Sequence, residues 1–332
     1  MAKILVTGAD GFIGSHLVER LVSQGHSVTA FCMYNSRGSL GWLDHSDTEI
    51  RGSFKPILGD IRDQAMVERA LHGVEVVYHL AALIGIPYSY VAPDSYVATN
   101  VQGTLNLLRA ARAASVDCFI HTSTSEVYGT AQSIPISESH PLVGQSPYAA
   151  SKIGADQLAL SFFFSFGLPV TVLRPFNTYG PRQSQRAVIP TIIQQLLTDR
   201  HTVCLGSVHT TRDFTYVDDT VEGFLCASAS SHSRGETINL GTGFEISIAD
   251  TAKEIATLMG VELILKSEDP QRLRPLKSEV GRLCSDNSRA RTMIGWEPKL
   301  AGIDGLRHGL AATIEWFSDP RVLGKSRNDY VL

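Results

Sequence analysis

Lys3-Ile4-Leu5-Val6-Thr7-Gly8-Ala9-Asp10-Gly11-Phe12-Ile13-Gly14 decides how the rest of the chain is read. A short β-branched run ends in three glycines, each separated from the next by two residues. Leu17, Val18, Leu21 and Val22 follow at helical spacing, and Gly25 closes them. This is strand, glycine turn, helix. Glycines let the backbone approach a pyrophosphate, and a helix N-terminus offers free amides and the positive end of its dipole. A glycine triplet alone is a weak signal, but directly after a first strand and opening a first helix it reads as a dinucleotide site. Gly8, Gly11, Phe12, Ile13 and Gly14 are its candidate residues.

Working outward, strands and helices alternate. Residues 27–32 form a second strand. It ends in Cys32-Met33-Tyr34-Asn35-Ser36-Arg37, without the acid that usually holds an adenosine ribose in NAD enzymes. Ser36 and Arg37 read as receivers for a 2′-phosphate, so the expected cofactor is NADP, with NAD the alternative. Residues 56–59 form a third strand, followed by Asp60 and Ile61 at the adenine. Residues 74–80 form a fourth, ending at Leu80-Ala81-Ala82, small enough for close approach. Residues 94–114 read as one long helix carrying Asn100 and an apolar stripe of Val97, Val101, Leu105 and Leu108 suited to core or dimer packing. A fifth strand, Cys118-Phe119-Ile120, delivers Thr122-Ser123-Thr124-Ser125-Glu126. The helix 149–166 carries Lys152, and residues 170–173 form a sixth strand. Such alternation predicts an α/β fold with a doubly wound parallel sheet, whose ligands bind at the carboxyl ends of the strands.

Past Pro181 the alternation loosens. An amphipathic helix at 188–197, a Ser247–Asp250 capping box and a last helix near 303–317 suggest a smaller α/β part at 181–332. Residues 1–180 form the dinucleotide-binding part, and about 211–240 return to it. Arg272, Arg274 and Lys277 stand in a proline- and charge-rich loop suited to clamping phosphate.

Tyr148 and Lys152 lie four apart on one helical face, and an ammonium beside a phenol favours the phenolate. Tyr148 is therefore a candidate acid or base, with a proton to share with Thr124.

The totals exclude several classes. The 332 residues are 43% hydrophobic and 19% charged, which is ordinary globular composition, and the net charge of −4 gives no electrostatic case for nucleic acid. Five scattered cysteines fit a reduced cytoplasm rather than a disulfide frame, the histidines show no metal spacing, and no apolar run is long enough to span a membrane.

With these pieces placed, the chain resembles the extended short-chain dehydrogenase/reductases that act on nucleotide sugars. The resemblance covers nearly the whole length. It is carried by Thr124-Ser125-Glu126, Tyr148-x-x-x-Lys152, Arg174-Pro175-Phe176-Asn177 and Arg212-Asp213-Phe214. It implies a Rossmann-type sheet with a smaller substrate-binding part and a homodimer built on the helices near 94–114 and 149–166. It also implies chemistry by Thr124, Ser125, Glu126, Tyr148 and Lys152. Leu80, Ala81, Ala82, Asn100 and Thr122 would line the cofactor, and Tyr88, Asn177, Arg182, Val188, Arg212 and Arg274 the substrate. Glu126 looks like the 4,6-dehydratases and nucleotide-glucuronate decarboxylases rather than the epimerases. The 82–90 and 272–283 segments look closest to N-acetylhexosamine 4,6-dehydratases, which would take GDP- or UDP-GlcNAc. One departure stands out: dTDP-glucose dehydratases have an aspartate where this chain has Ser125.

Overall fold

The computed structural model describes residues 1–199, 201–267, 269 and 273–323; Arg272 and the tail from residue 324 lie outside them. Seven strands build the central sheet: β1 (Lys3–Thr7), β2 (Ser27–Met33), β3 (Phe54–Gly59), β4 (Val76–His79), β5 (Cys118–Thr122), β6 (Val170–Pro175) and β7 (Thr237–Leu240). They run in the order β7-β6-β5-β4-β1-β2-β3, every pair parallel. A parallel sheet is covered on both faces, so its strands read as continuous apolar runs. All six residues of β6 are buried, as are four of the five in β1. The chain steps outward through β2 and β3, then returns to β4 on the other side of β1. Thr7 pairs with Phe31 on one side and His79 on the other, so its carboxyl end marks the switch point where a ligand crevice opens.

The helices that matter are α1 (Phe12–Ser23), α2 (Gln64–Ala70), α3 (Thr104–Ala114), α4 (Pro147–Phe166), α5 (Val188–Asp199), α6 (Val217–Ala229), α7 (Ile248–Met259) and α8 (Gly302–Ser318). The pleat separates two cores. Ile4 and Val6 pack with Leu17 and Leu21 of α1 and Val221 and Phe224 of α6, whereas Leu5 packs with Val67 of α2, Leu108 of α3 and Phe162 of α4. Helix α6 packs on the sheet and β7 forms its edge beside β6. A third cluster unites Ile189, Ile192 and Ile193 of α5, Ile255 of α7, and Leu310 and Phe317 of α8.

Local chemistry fixes the ends. Ser146 Oγ accepts the Ala149 N–H at 3.1 Å and Pro147 occupies the first turn of α4, while Gly167, at φ 70°, ends it. Ser247 accepts the Asp250 N–H at 3.0 Å and donates to its carboxylate at 2.7 Å, which is the capping box read from sequence. The single helix expected over 94–114 is broken up. A short helix at Pro93–Tyr96 passes into a π-helical turn at Val97–Gly103 before α3 begins. Such turns widen a helix locally and recur where a side chain must be re-aimed; here the residue at its centre is Asn100.

Candidate active site

The cofactor half of the crevice is built from backbone. Gly8 has φ 68°, and a Cβ there would lie 2.8 Å from the Ala81 nitrogen. A Cβ on Gly14 would lie 2.1 Å from the Gly8 carbonyl oxygen. Both contacts are sterically forbidden, so this turn closes only with glycine. Helix α1 starts at Gly11 without a side-chain cap or an acidic residue in its first turn, leaving its amides for an anion. Leu80 and Ala81 follow β4 directly and are pinned to Thr7, by its carbonyl and its hydroxyl, both at 3.2 Å. Thr122 Oγ1 is buried at the end of β5 with no partner. A closed glycine turn, free amides and an orphaned hydroxyl suit a dinucleotide, and Phe12 and Ile13 begin the helix that would receive its pyrophosphate.

Five further residues that the sequence assigns to the cofactor stand in varied surroundings. The Asn100 side chain is committed within the protein: it accepts the Leu83 N–H at 2.8 Å and donates to the Leu83 carbonyl and Ser151 Oγ, each at 2.9 Å. It braces the loop after β4 against α4. Asp60 is held by the guanidinium of Arg62, whose Nε lies 2.9 Å from Oδ2, and that hydrogen bond keeps its carboxyl below the usual range. The neighbouring Ile61 carbonyl accepts from Asn106 at 3.1 Å. At the end of β2, Ser36 and Arg37 are exposed on a turn tied by the Asn35 side chain. Near the end of β2 the Asp10 carboxyl of the glycine turn accepts the Met33 N–H, although burial raises its pKa overall.

At the seam, Tyr148 and Lys152 are both buried. Tyr148 is hydrogen-bonded to the Thr124 side chain. Thr124 also caps the turn Ser125–Tyr128, accepting the Glu126 N–H at 3.2 Å. The phenol packs against Ile86 and Tyr96. The ammonium of Lys152 donates to the Thr122 carbonyl at 2.5 Å rather than reaching the phenol. The expected lowering of Tyr148 by Lys152 is therefore not realised. Burial, opposed by the bond to Thr124 and reinforced by the Glu126 charge, pushes the phenol well above its ordinary value. Burial pushes Lys152 down to about 8.

The substrate half is built from side chains. Glu126 is 9% exposed. Its Oε1 stands 3.7 Å from Arg274 Nη1, a buried nitrogen with no hydrogen-bond partner. Arg212 donates to the Thr211 carbonyl at 2.8 Å, and its other nitrogen lies 3.5 Å from Glu279. Burial lowers the Arg212 pKa, with the Glu126 charge acting against that. Asp213 faces inward and accepts from Thr242, Gly243 and Ser285, which explains why Arg212-Asp213-Phe214 is one motif: one residue for the cleft, one for the frame, one for the core. Asn177 Oδ1 is buried and unpartnered just past β6. The Tyr88 ring reaches Tyr148 through Tyr96, with centroid steps of 6.1 and 6.2 Å. Ser125 is buried beside Glu126. Arg182 departs from this group: its guanidinium bonds Ser15 at 3.2 Å and Glu19 at 2.8 Å on α1. Val188 is the first residue of α5 and packs on the third cluster.

The GDP-mannose 4,6 dehydratase family matches residues 5–308. The chain belongs to that family. It is thus an extended short-chain dehydrogenase/reductase of the nucleotide-sugar dehydratase and epimerase type, an NAD(P)-dependent enzyme. It is 35% identical to a UDP-glucose 4-epimerase of Mycolicibacterium smegmatis over 95% of this chain and 98% of the relative. Its fold is similar to the dTDP-glucose 4,6-dehydratase DesIV of Streptomyces venezuelae, solved with NAD (TM-score 0.83, 30% identity, 96% of this chain and 98% of that one). It is similar also to the UDP-glucuronic acid 4-epimerase of Bacillus cereus, solved with UDP-glucuronic acid and NAD (TM-score 0.84, 32% identity, 95% and 98%). Both solved relatives hold NAD, and they lend no support to a preference for NADP.

Sequence reasoning missed the layer beneath this family's shared site: Ser123, Ser151, His121 and Asp156. Asp156 had a signal, because it lies four residues past Lys152 on the same helical face.

Proposed function

We propose that this enzyme is a nucleotide-sugar 4,6-dehydratase, with GDP- and UDP-N-acetylhexosamines the first substrates to test. The observation that carries the reading is Glu126: a carboxylate 9% exposed, close enough to Tyr148 to act on its phenol and flanked by Arg212 and Arg274. A 4-epimerase needs no base beyond its tyrosine, whereas elimination does.

Tyr148, hydrogen-bonded to Thr124, would take the proton of the sugar 4-hydroxyl as its phenolate, which requires the Lys152 ammonium to move from the Thr122 carbonyl towards the phenol. The glycine turn of Gly8, Gly11 and Gly14 would hold the dinucleotide by its pyrophosphate, and the cofactor, when bound, would supply reversible hydride storage for the oxidation at C4 and the reduction at C6. The resulting 4-ketone acidifies C5, and Glu126 removes that proton. The C6 hydroxyl departs and takes the proton from Glu126, leaving as water. C5 is reprotonated from solvent, so the net change is loss of one water and a 4-keto-6-deoxy sugar. Arg212 and Arg274 would hold the diphosphate, their present carboxylate partners being long, weak contacts that a phosphate can replace. Asn177 would donate to the substrate through its amide nitrogen while its orphaned oxygen accepts a hydroxyl. Arg182 is left out of the set.

Products from a panel of GDP-, UDP- and dTDP-sugars test this by mass. Loss of one water supports it; an isomer of unchanged mass establishes 4-epimerisation, and loss of carbon dioxide a glucuronate decarboxylase. The epimerase is the second reading, favoured by Ser125, which offers no second carboxyl group for the elimination. Glu126→Gln should retain C4 oxidation, seen as reduced cofactor, and lose dehydration by roughly a hundredfold or more. We also propose a homodimer through Val97 and Phe164, 56% and 74% exposed on the two helical segments named above; sedentation of a monomer at micromolar concentration would refute it.

A further inference from the structure

Asp156 is wholly buried and lies one helical turn beyond Lys152 on α4. Its carboxylate faces three side chains from two neighbouring strands, β5 and β6. Ser123 Oγ, after β5, donates to Oδ2 at 2.7 Å. Arg174 on β6 donates to the same oxygen through Nε at 3.2 Å and Nη2 at 3.1 Å. His121 Nε2 on β5 stands 3.3 Å from Oδ1. The residue next to Ser123 is Thr122, whose carbonyl receives the Lys152 ammonium. Helix α4 is therefore cross-linked to the end of β5 twice, by Lys152 and by Asp156, through adjacent residues.

We propose that Asp156 is the positioning residue of the Tyr148/Lys152 pair: its buried carboxylate fixes the Thr122–Ser123 strand end on which the ammonium rests and keeps that ammonium charged. The idea rests on the reading that Tyr148 and Lys152 carry out C4 oxidation, which dehydration and epimerisation share.

The neighbouring charges leave few other candidates for this task. On α4 the titratable neighbours are Tyr148 and Lys152 themselves. From β5 comes His121, pushed down to about 4 by burial and therefore neutral near pH 7, so its contact with Asp156 is not an ion pair. From β4 comes His79, its ring 5.5 Å from His121; burial lowers it as well, and its nitrogens are taken by Thr7 and Thr104, each at 2.9 Å. From β6 comes Arg174, which also donates to Tyr128 at 3.0 Å. Burial opposes ionisation of Asp156, yet the close contact with His121 and the charge of Arg174 hold its carboxyl below the ordinary range. Burial drives Lys152 towards neutrality, and Asp156 is the charge that resists it.

The test reads the amine directly. Cyanate carbamylates only neutral amines and is small enough to enter a cleft. The rate of Lys152 carbamylation, followed against pH by peptide mass, should rise in the folded wild-type protein with a midpoint near 8. In Asp156→Asn the midpoint should fall by about one pH unit or more. The double variant Asp156→Asn/Arg174→Gln, which removes the Arg174 guanidinium together with its buried carboxylate partner, is measured beside it and should shift the same way. A folded variant of either kind with an unmoved midpoint would overturn the proposal. Should the single variant not fold, the double variant decides.

A companion measurement follows cofactor reduction by the same proteins with the best sugar nucleotide of the panel. Its alkaline limb should move with the carbamylation midpoint. Absence of reduction by the wild type would sink the C4-oxidation reading while leaving the carbamylation result to stand or fall alone. A uniform loss of rate without a shift in the limb would mark Asp156 as merely structural.

Discussion

The two halves of the strand-end crevice hold charge by different means. On the cofactor side the groups are backbone: the uncapped amides of α1, a glycine turn with no room for a side chain, and the short link from Thr7 to Ala81. On the substrate side they are long side chains: Arg274 stands 3.7 Å from Glu126, and Arg212 3.5 Å from Glu279. The first half is fixed by the chain's course, whereas the second is assembled from segments far apart in sequence and can be re-partnered by a ligand. A substitution in the first half should therefore cost structure, and one in the second should cost recognition.

The seam between the halves should show the largest effect. Tyr148→Phe removes the proton acceptor, and single-turnover formation of reduced cofactor should fall by roughly a thousandfold with substrate affinity unchanged; a normal rate would remove the phenol from the mechanism. Next comes the backbone half. Gly8→Ala would force a Cβ to within 2.8 Å of the Ala81 nitrogen at a positive φ, so dinucleotide affinity and melting temperature should drop together, the latter through about 1–3 kcal/mol of strain. Loss of affinity alone, with stability intact, would break the contrast between the halves. In the side-chain half, Arg274→Ala should raise KM by about tenfold, as expected for one charge-assisted phosphate contact, and leave the melting temperature within a degree or so. A fall in stability instead would mean its contact with Glu126 is structural. Smallest is Arg37→Ala. If Ser36 and Arg37 receive a 2′-phosphate, NADPH affinity should weaken several-fold with NADH unaffected. Equal or tighter binding of NADH by the parent protein would assign the end of β2 to Asp10 and NAD.

How much of this was legible in the sequence follows the same division. The parallel sheet, the glycine turn and the Tyr148/Lys152 pair could be read because each is local: spacing within one strand-turn-helix unit or one helical turn sets it. The π-helical turn at Val97–Gly103 could not be read, since its residues also suit an ordinary helix and only the demand that Asn100 reach Leu83 and Ser151 reveals it. Arg182 was misplaced for a related reason. A loop arginine can face the cleft or the frame, and here Glu19 and Ser15, more than a hundred and sixty residues earlier, draw it to the frame. The direction of the Tyr148 shift was misjudged because spacing puts Lys152 on the right face but does not show its ammonium resting on the Thr122 carbonyl.

The claim on which the account turns is that a ketone formed at C4 is used for elimination at C5 and C6, and the proton at C5 reports it. The wild-type enzyme should be run to completion in deuterium oxide with the best sugar nucleotide of the panel, and the product examined by NMR. One solvent deuteron at C5 of a 4-keto-6-deoxy sugar is the predicted result. A C4 epimer with its original hydrogen at C5 would contradict it.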